Sequence, residues 1–284
     1  MKQPFNIASM MSSTARLLAC GALLASSALA HATTLDEAKK ALPDAIKSSG
    51  TLRVATSLQW APFAYSDENS QAAGIDIELV KLLAQKLGLK ATFDDLKFPS
   101  IVPGISTGRY DIGVDQIGIT EEREKVVDMI PYFRSGFGLL VKKGSAPLNI
   151  NKLCGHTLAL TQGSSQVQII GQMSTACTAS GQKEIAQLFY PNSADTYMAV
   201  ANGRGEGFIA DHAVAVYIAK LHGSLDVMPE VLDGKTLVAG IAVGKQLPTL
   251  KQALQVALQA AVQDGSYKAL LTKYGVPDSA YTEE

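Results

Sequence analysis

The chain has 284 residues, and its 25 Lys and Arg nearly balance 26 Asp and Glu, for a formal net charge of −1. No basic patch stands out along it, so no nucleic-acid partner is expected. With 47% hydrophobic residues it can bury a sizeable core, and its length suits two domains better than one.

In chain order, residues 1–32 read as a cleaved secretory signal peptide. Residues 1–16 carry Lys2 and Arg16 and no acid, LLACGALLASSALA follows over Leu17–Ala30, and Ala30-His31-Ala32 supplies a small-residue cleavage site. The apolar run is shorter than the roughly 20 residues that span a bilayer. Leu17-Leu18-Ala19-Cys20 resembles a lipobox, but Cys20 stands near the start of the apolar run and cleavage after Ala32 discards it. No later segment is apolar and long enough to span a membrane, so an exported protein is expected.

TLRVAT at 51–56 alternates apolar and polar residues and predicts a strand. Gly74-Ile75-Asp76 opens a helix in which Ile75, Leu79, Leu82, Leu83 and Leu87 recur at helical spacing before Gly88. ATF at 91–93 predicts a short strand, Ile101–Thr107 a helix ending at Gly108, and DIGVD at 111–115 a third strand. Alternating strands and helices predict a parallel α/β sheet. The pattern restarts with HTLAL at 156–160, a short helix over Ser164–Gln172, a helix at Asp195–Ala201, the strand GFIA at 207–210 and a helix opened by Asp211. GLLVKKG at 138–144 and AGIAVGK at 239–245 read as two similar extended segments. The chain closes with a helix striped by Leu250, Ala253, Leu254, Ala257, Leu258 and Ala261, and a shorter helix in DGSYKALLTKYG at 264–275.

Several residues just after strands can hold a ligand. Thr120 is a good N-cap, and Glu121 and Glu122 suit a helix start. Arg123 does not suit that end, and its flat fork matches a carboxylate; a solvated surface Arg is the other reading. Trp60, the single Trp, lies in a loop at the carboxyl end of the first strand, where open α/β sheets bind ligands. It can form an aromatic wall or belong to the core; Phe98 is placed similarly. The loop Thr161-Gln162-Gly163-Ser164-Ser165 offers backbone N–H groups to an anion. Asp211 can cap a helix or present a carboxylate to a cation. Together these describe a site for a zwitterion of the α-amino acid kind.

Phosphate-loop, nucleophile-elbow, H-E-x-x-H and C-x-x-C motifs are absent from the sequence, so no cofactor is expected. The Gly-rich stretch 203–207 sits between a helix and a strand, as a connection. His156, His212 and His222 are widely spaced. Cys154 and Cys177 are an even pair after export, which fits a disulfide, with two buried thiols as the other reading. Neither has a His or acid neighbour at metal-ligand spacing, so no metal site is expected.

The sequence resembles the bacterial extracellular solute-binding proteins of family 3, periplasmic amino-acid receptors of ATP-driven (ABC) importers. The markers are TLRVATSLQWAPF, GIDIELVKLLAQKLG, IVPGISTGRYDIG, ITEEREKVVD, PYFRSGFGLLVKKG and DGSYKALLTKYG, in order over about 51–275. The resemblance implies a two-lobe periplasmic binding protein fold of type II, with two crossing strands as hinge. Lobe one would comprise 51–141 plus 240–284, and lobe two 142–239. It also implies a monomer that captures an amino acid in the periplasm and passes it to a membrane permease. By the same resemblance Arg123 clamps the ligand α-carboxylate with the backbone N–H groups of Gly118 and Ser165. Asp211 receives the α-ammonium, helped by the Gln116 carbonyl, and Trp60 and Phe98 sandwich the ligand side chain. Cys154 and Cys177 resemble a lobe-two disulfide of some members.

Two departures bear on the ligand. Gly118 stands where many members have Ser or Thr, so a contacting hydroxyl is missing. Asp115 stands where small residues are usual, and it either supplies a negative charge to the ligand or caps a loop. The expected ligand is a polar or basic α-amino acid, or an amine relative. Two alternatives are a cyclohexadienyl dehydratase-like enzyme, with Asp115 as general acid, and a sensor delivering ligand to a chemoreceptor.

Overall fold

The computed structural model describes residues 35–281, so the expected signal peptide and the Cys20 alternative lie outside the described residues. Short helices α1 (35–40) and α2 (Asp44–Ser49) precede β1 (Thr51–Thr56). From Val54 onward every residue of β1 is buried, because parallel neighbours flank it and helices cover its faces. A small sheet follows, β2 (Gln59–Trp60), β3 (Ala64–Ser66) and β4 (Ala72–Ala73). Next come α3 (Ile75–Lys86), β5 (Lys90–Asp95), a 3-10 turn at Phe98–Ser100, α4 (Ile101–Ser106) and β6 (Ile112–Gly113). Strand β1 pairs in parallel with both β5 and β6.

Gly74 fixes how the loop after β2 meets α3. Its φ is 117°, and a Cβ there would stand 2.2 Å from the Phe63 carbonyl oxygen. Without that Cβ, Ile75 N and Asp76 N donate to the carbonyls of Pro62 and Phe63. The first turn of α3 therefore seats the Trp60–Phe63 segment beside the sheet.

After α5 (Glu121–Val126) the chain enters β7 (Val127–Lys142), which pairs with β11 (Leu225–Gly244) along nearly its whole length. The extended segments expected at 138–144 and 239–245 are the ends of these two much longer antiparallel strands. Their register shifts between Val227 and Val231, Val231 and Thr236, and Ala239 and Gly240. Such irregularities bend and twist a ribbon, and here they fall where it passes from one lobe to the other.

The second α/β unit contains β8 (Thr157–Thr161), α6 (Ser165–Ala179), β9 (Ala186–Tyr190), α7 (Ser193–Ala201), β10 (Gly207–Asp211) and α8 (His212–Leu221). One sheet runs through both lobes in the order β5-β1-β6-β11-β7-β10-β8-β9. Phe137–Val141 of β7, the five residues before the boundary expected after 141, pair with β10. The last helices are α9 (Pro248–Gln263) and α10 (Ser266–Lys273); of the expected stripe, Leu250, Ala253, Leu254, Ala257 and Ala261 are buried, while Leu258 is only half-buried.

The cores divide along the same line. Leu52, Val54, Leu79, Leu83, Leu250 and Leu254 pack in the first lobe, within a cluster that reaches Phe208 and Val214 of the second. Phe137, Leu139, Leu158, Leu160 and Ile170 pack separately in the second. Cys154 and Cys177 form the expected disulfide and tie α6 to the segment before β8. Among the described residues, no helix is long and apolar enough to cross a membrane and no His/Cys/Asp/Glu group could hold a metal.

Sequence and structure differ where local signals are weak. The strand expected at 111–115 pairs only at Ile112–Gly113. Beyond it Asp115 turns to Ser57, and Gln116 takes a φ of 47° that no strand allows. The helix expected to end at Gln172 continues to Ala179. Strand β9 and the small sheet were not expected: AQLFY gives a poor alternating pattern, and two-residue strands give none.

Candidate ligand-binding site

The site forms at the carboxyl ends of the parallel strands. Asp115, 3% exposed, follows β6 and faces the end of β1. Its Oδ2 accepts from Ser57 Oγ at 2.6 Å. Its Oδ1 receives only long contacts of 3.4 Å, from Thr56 Oγ1 and Ser57 N. Burial pushes the Asp115 carboxyl up to about 7, against the Ser57 hydrogen bond and reinforced by the charge of Asp76. Asp76, in the first turn of α3, accepts from Gln116 N at 2.6 Å and from Tyr132 Oη. Burial raises it to about 6, opposed by those two bonds.

Arg123 lies in the first turn of α5, where Thr120 caps the helix by accepting from Arg123 N at 3.3 Å. Its Nη1 donates to the Gly118 carbonyl and its Nη2 to the Gly163 carbonyl at 2.7 Å. The guanidinium also stands 5.5 Å from the centre of the Phe98 ring. Its hydrogen-bond partners are carbonyls rather than carboxylates, so its charge is not neutralised by them. Burial lowers its pKa to about 10, which leaves it cationic at neutral pH. Gly118 is set by β11: Ile119 N donates to Val238 O, and Gly240 N donates to Ile117 O. In an antiparallel pair the residue between two such contacts turns its own N–H away from the partner strand, here toward Arg123.

Trp60 is 8% exposed and donates through Nε1 to Gln116 Oε1 at 2.7 Å. Its ring meets Phe208 of β10 edge-on, 6.2 Å between centroids. Trp60 thus packs into the core cluster and also lines the cavity. From the second lobe come Thr161 at the end of β8 and Ser164 and Ser165 at the start of α6.

One cavity is lined by Trp60, Phe98, Asp115, Gln116, Gly118, Arg123 and Ser165, with Phe208 and several hydroxyls opposite. It is narrow: the centre of a water molecule has about 30 Å³ in which to move. Asp211, the remaining expected residue, does not line it. It is fully buried, and its Oδ1 accepts from Ala213 N at 3.0 Å and Val214 N at 3.2 Å, capping α8. Burial raises its pKa, with Ser135 and Gln116 among the groups pulling it back. Its Oδ2 is buried without a hydrogen-bond partner, as are Gln116 Nε2 and Ser164 Oγ.

Sequence reasoning missed the contributions of Thr161, Ser164, Gln166, Ser193, Phe208 and Leu237 to the wall. Thr161 and Ser164 were within the quoted loop. Phe208 and Leu237 sit inside strands, and no local signal distinguishes a strand residue facing a cavity from one facing a core.

The "Arginine-binding protein ArgT" of Corynebacterium glutamicum is 24% identical over 251 residues, 87% of this chain and 81% of that protein. The "Cyclohexadienyl dehydratase" of Pseudomonas aeruginosa is 27% identical over 213 residues, 73% of this chain and 74% of that protein. Among solved structures, "An ancestral arginine-binding protein bound to glutamine" superposes with a TM-score of 0.72 at 30% identity, covering 79% of this chain and 97% of that one. The model of "Bacterial extracellular solute-binding proteins, family 3" matches residues 52–277. With that match spanning most of its length, the chain belongs to the bacterial extracellular solute-binding proteins of family 3.

Proposed function

We propose that the protein is an exported receptor that captures a polar or basic α-amino acid, or an amine relative, between its lobes. It delivers the ligand to the permease of an ABC importer, acts as a monomer and performs no chemistry. The observation that carries this reading is the juxtaposition of Arg123 and Asp115 on one cavity walled by Trp60 and Phe98. A guanidinium without a carboxylate partner suits a ligand carboxylate, and Gly118 and Ser165, whose N–H groups can assist it, line the same cavity. Asp115 and Asp211 are the two carboxylates available for a ligand cation. The names of relatives that bind arginine and glutamine agree with this chemistry.

Lobe one, 51–141 with 240–284, and lobe two, 142–239, close by bending the β7–β11 ribbon, with Phe137–Val141 sheet-paired to the second. Residues 1–32 direct export to the periplasm and are removed.

Thermal-shift screening against the common amino acids tests the reading. Stabilisation by polar or basic members is expected; no stabilisation by any of them, or by acidic ones alone, overturns it.

One observation favours a second reading. A buried carboxyl raised to about 7, as at Asp115, can act as a general acid, and a dehydratase is among the relatives. Incubation with prephenate or arogenate distinguishes the two: turnover establishes an enzyme, and its absence leaves the receptor.

A further inference from the structure

We propose that the side-chain amide of Gln116 stands in for a ligand's ammonium: it holds the Asp211 carboxylate until an amino acid displaces it. The proposal rests on the receptor reading and names the residue that sets how readily an ammonium reaches its acid.

Asp211 is the last residue of β10 and is fully buried. Its Oδ1 receives the N–H groups of Ala213 and Val214, so Oδ2 is the oxygen left for a cation. That oxygen is buried without a hydrogen-bond partner. Asp211 does not line the cavity, whereas Gln116 does. The Gln116 N–H donates to Asp76 Oδ2 at 2.6 Å, and its Oε1 accepts from Trp60 Nε1 at 2.7 Å. With Oε1 turned to Trp60, Nε2 is the free end of the amide, and it too is buried without a partner.

The amide is placed beside the acid. Burial raises the Asp211 carboxyl, and Ser135, the two N–H groups and Gln116 pull it back. Ser135 Oγ donates to the Gly136 carbonyl at 3.2 Å, whereas Gln116 Nε2 has a donor to spare. The backbone of Gln116 adds a second sign of a set position. Its φ of 47° is costly for a residue with a Cβ, and the bonds to Asp76 and Trp60 hold it there.

A bond from an ammonium to a carboxylate carries charge at both ends and is stronger than one from a neutral amide. An ammonium entering from the cavity therefore takes Oδ2, but it must first move the amide and loosen the Trp60 bond. That competition lowers apparent affinity by the fraction of molecules in which Oδ2 is free. Before the ligand arrives, the same amide spares the protein an unpaired buried carboxylate oxygen, which is destabilising. Removing the amide should therefore raise affinity and lower stability. Losing a wall residue or a direct ligand contact would not raise affinity.

Thermal melts and calorimetry on the wild type, Gln116→Ala and Gln116→Gly test this; glycine suits the φ at this position and keeps the backbone in place. The ligands are L-arginine and L-glutamine, each beside its counterpart without the α-amino group, δ-guanidinovalerate and glutaramate. Both variants are expected to melt below the wild type without ligand, and to bind the amino acid about tenfold more tightly. The counterpart without the amine, which brings no ammonium to Asp211, is expected to gain no more than about threefold. Unchanged or weaker amino-acid binding in the folded variants overturns the proposal. So does an equal gain for the counterpart, which would come from added space rather than from a freed Asp211. If the folded wild type and both folded variants bind neither amino acid, the receptor reading fails, and this proposal fails with it.

Discussion

Arg123 on α5 donates through Nη2 to the carbonyl of Gly163 at 2.7 Å, joining the loop before α6 to the opposite side of the cavity. The same guanidinium holds the Gly118 carbonyl through Nη1. Arg123 thus ties together the two sides of the cavity, and in the proposed function its remaining N–H donors serve the ligand. Substituting Arg123 by Ala should loosen closure even without ligand. Small-angle scattering should then give a larger radius of gyration for the variant than for the wild type. Identical curves would mean that the Gly163 contact does not hold the lobes together.

The absence of a side chain at Gly118 lets Ser165 approach. Gly118→Ser would set a Cβ 2.7 Å from Ser165 Oγ. Overpacking of this kind costs about 1–3 kcal/mol, so affinity for a ligand that requires closure should fall by about tenfold or more. The double variant with Ser165→Gly should recover much of the loss, because the clash is with that side chain. A titration in which Gly118→Ser binds as the wild type does would show that the lobes need not approach this closely.

Asp115 should leave a mark on stability against pH. Its carboxyl moves from 3.8 to about 7 on folding, because burial and Asp76 penalise its charge. The folded state thus holds the proton more tightly than the unfolded chain. This contribution is complete below about pH 3.8 and is lost as the pH rises through about 7. Asp115→Asn removes it. The melting temperature of the variant, relative to the wild type, should climb between about pH 4 and about pH 7 and then level off. A difference that does not change with pH would show that Asp115 titrates normally.

The Cys154–Cys177 bridge closes a loop with a sequence separation of 23. On the chain-entropy model such a loop contributes about 3 kcal/mol. Replacing both cysteines by Ser should lower the melting temperature and leave ligand affinity within about threefold, because neither cysteine lines the cavity. An unchanged melting temperature would show that the bridge does not stabilise the fold.

Much of the molecule was legible in the sequence where local chemistry decides the outcome. The stripe on α9, the N-cap at Thr120 and the presence of strand β1 each follow from residues a few positions apart. The length of β7 and β11 did not, because their pairing joins positions roughly a hundred residues apart and their burial has no simple period. The site divides in the same way. Trp60, Phe98, Asp115, Gln116, Gly118, Arg123 and Ser165 all follow strands in sequence and meet at one cavity. Asp211 also follows a strand, but only the packing of β10 against α8 shows that it is enclosed as a cap. Phe208 and Leu237 reach the cavity through sheet geometry, which a linear pattern does not encode.

In the proposed function, Arg123 grips the carboxylate of an amino acid held between the lobes. Calorimetric titration of the processed protein and its Arg123→Ala variant with L-arginine and with L-glutamine tests it most directly. The expected result is saturable binding of at least one of them by the wild type and a loss of about a hundredfold or more in the variant. Near-equal affinities in the two proteins would contradict it.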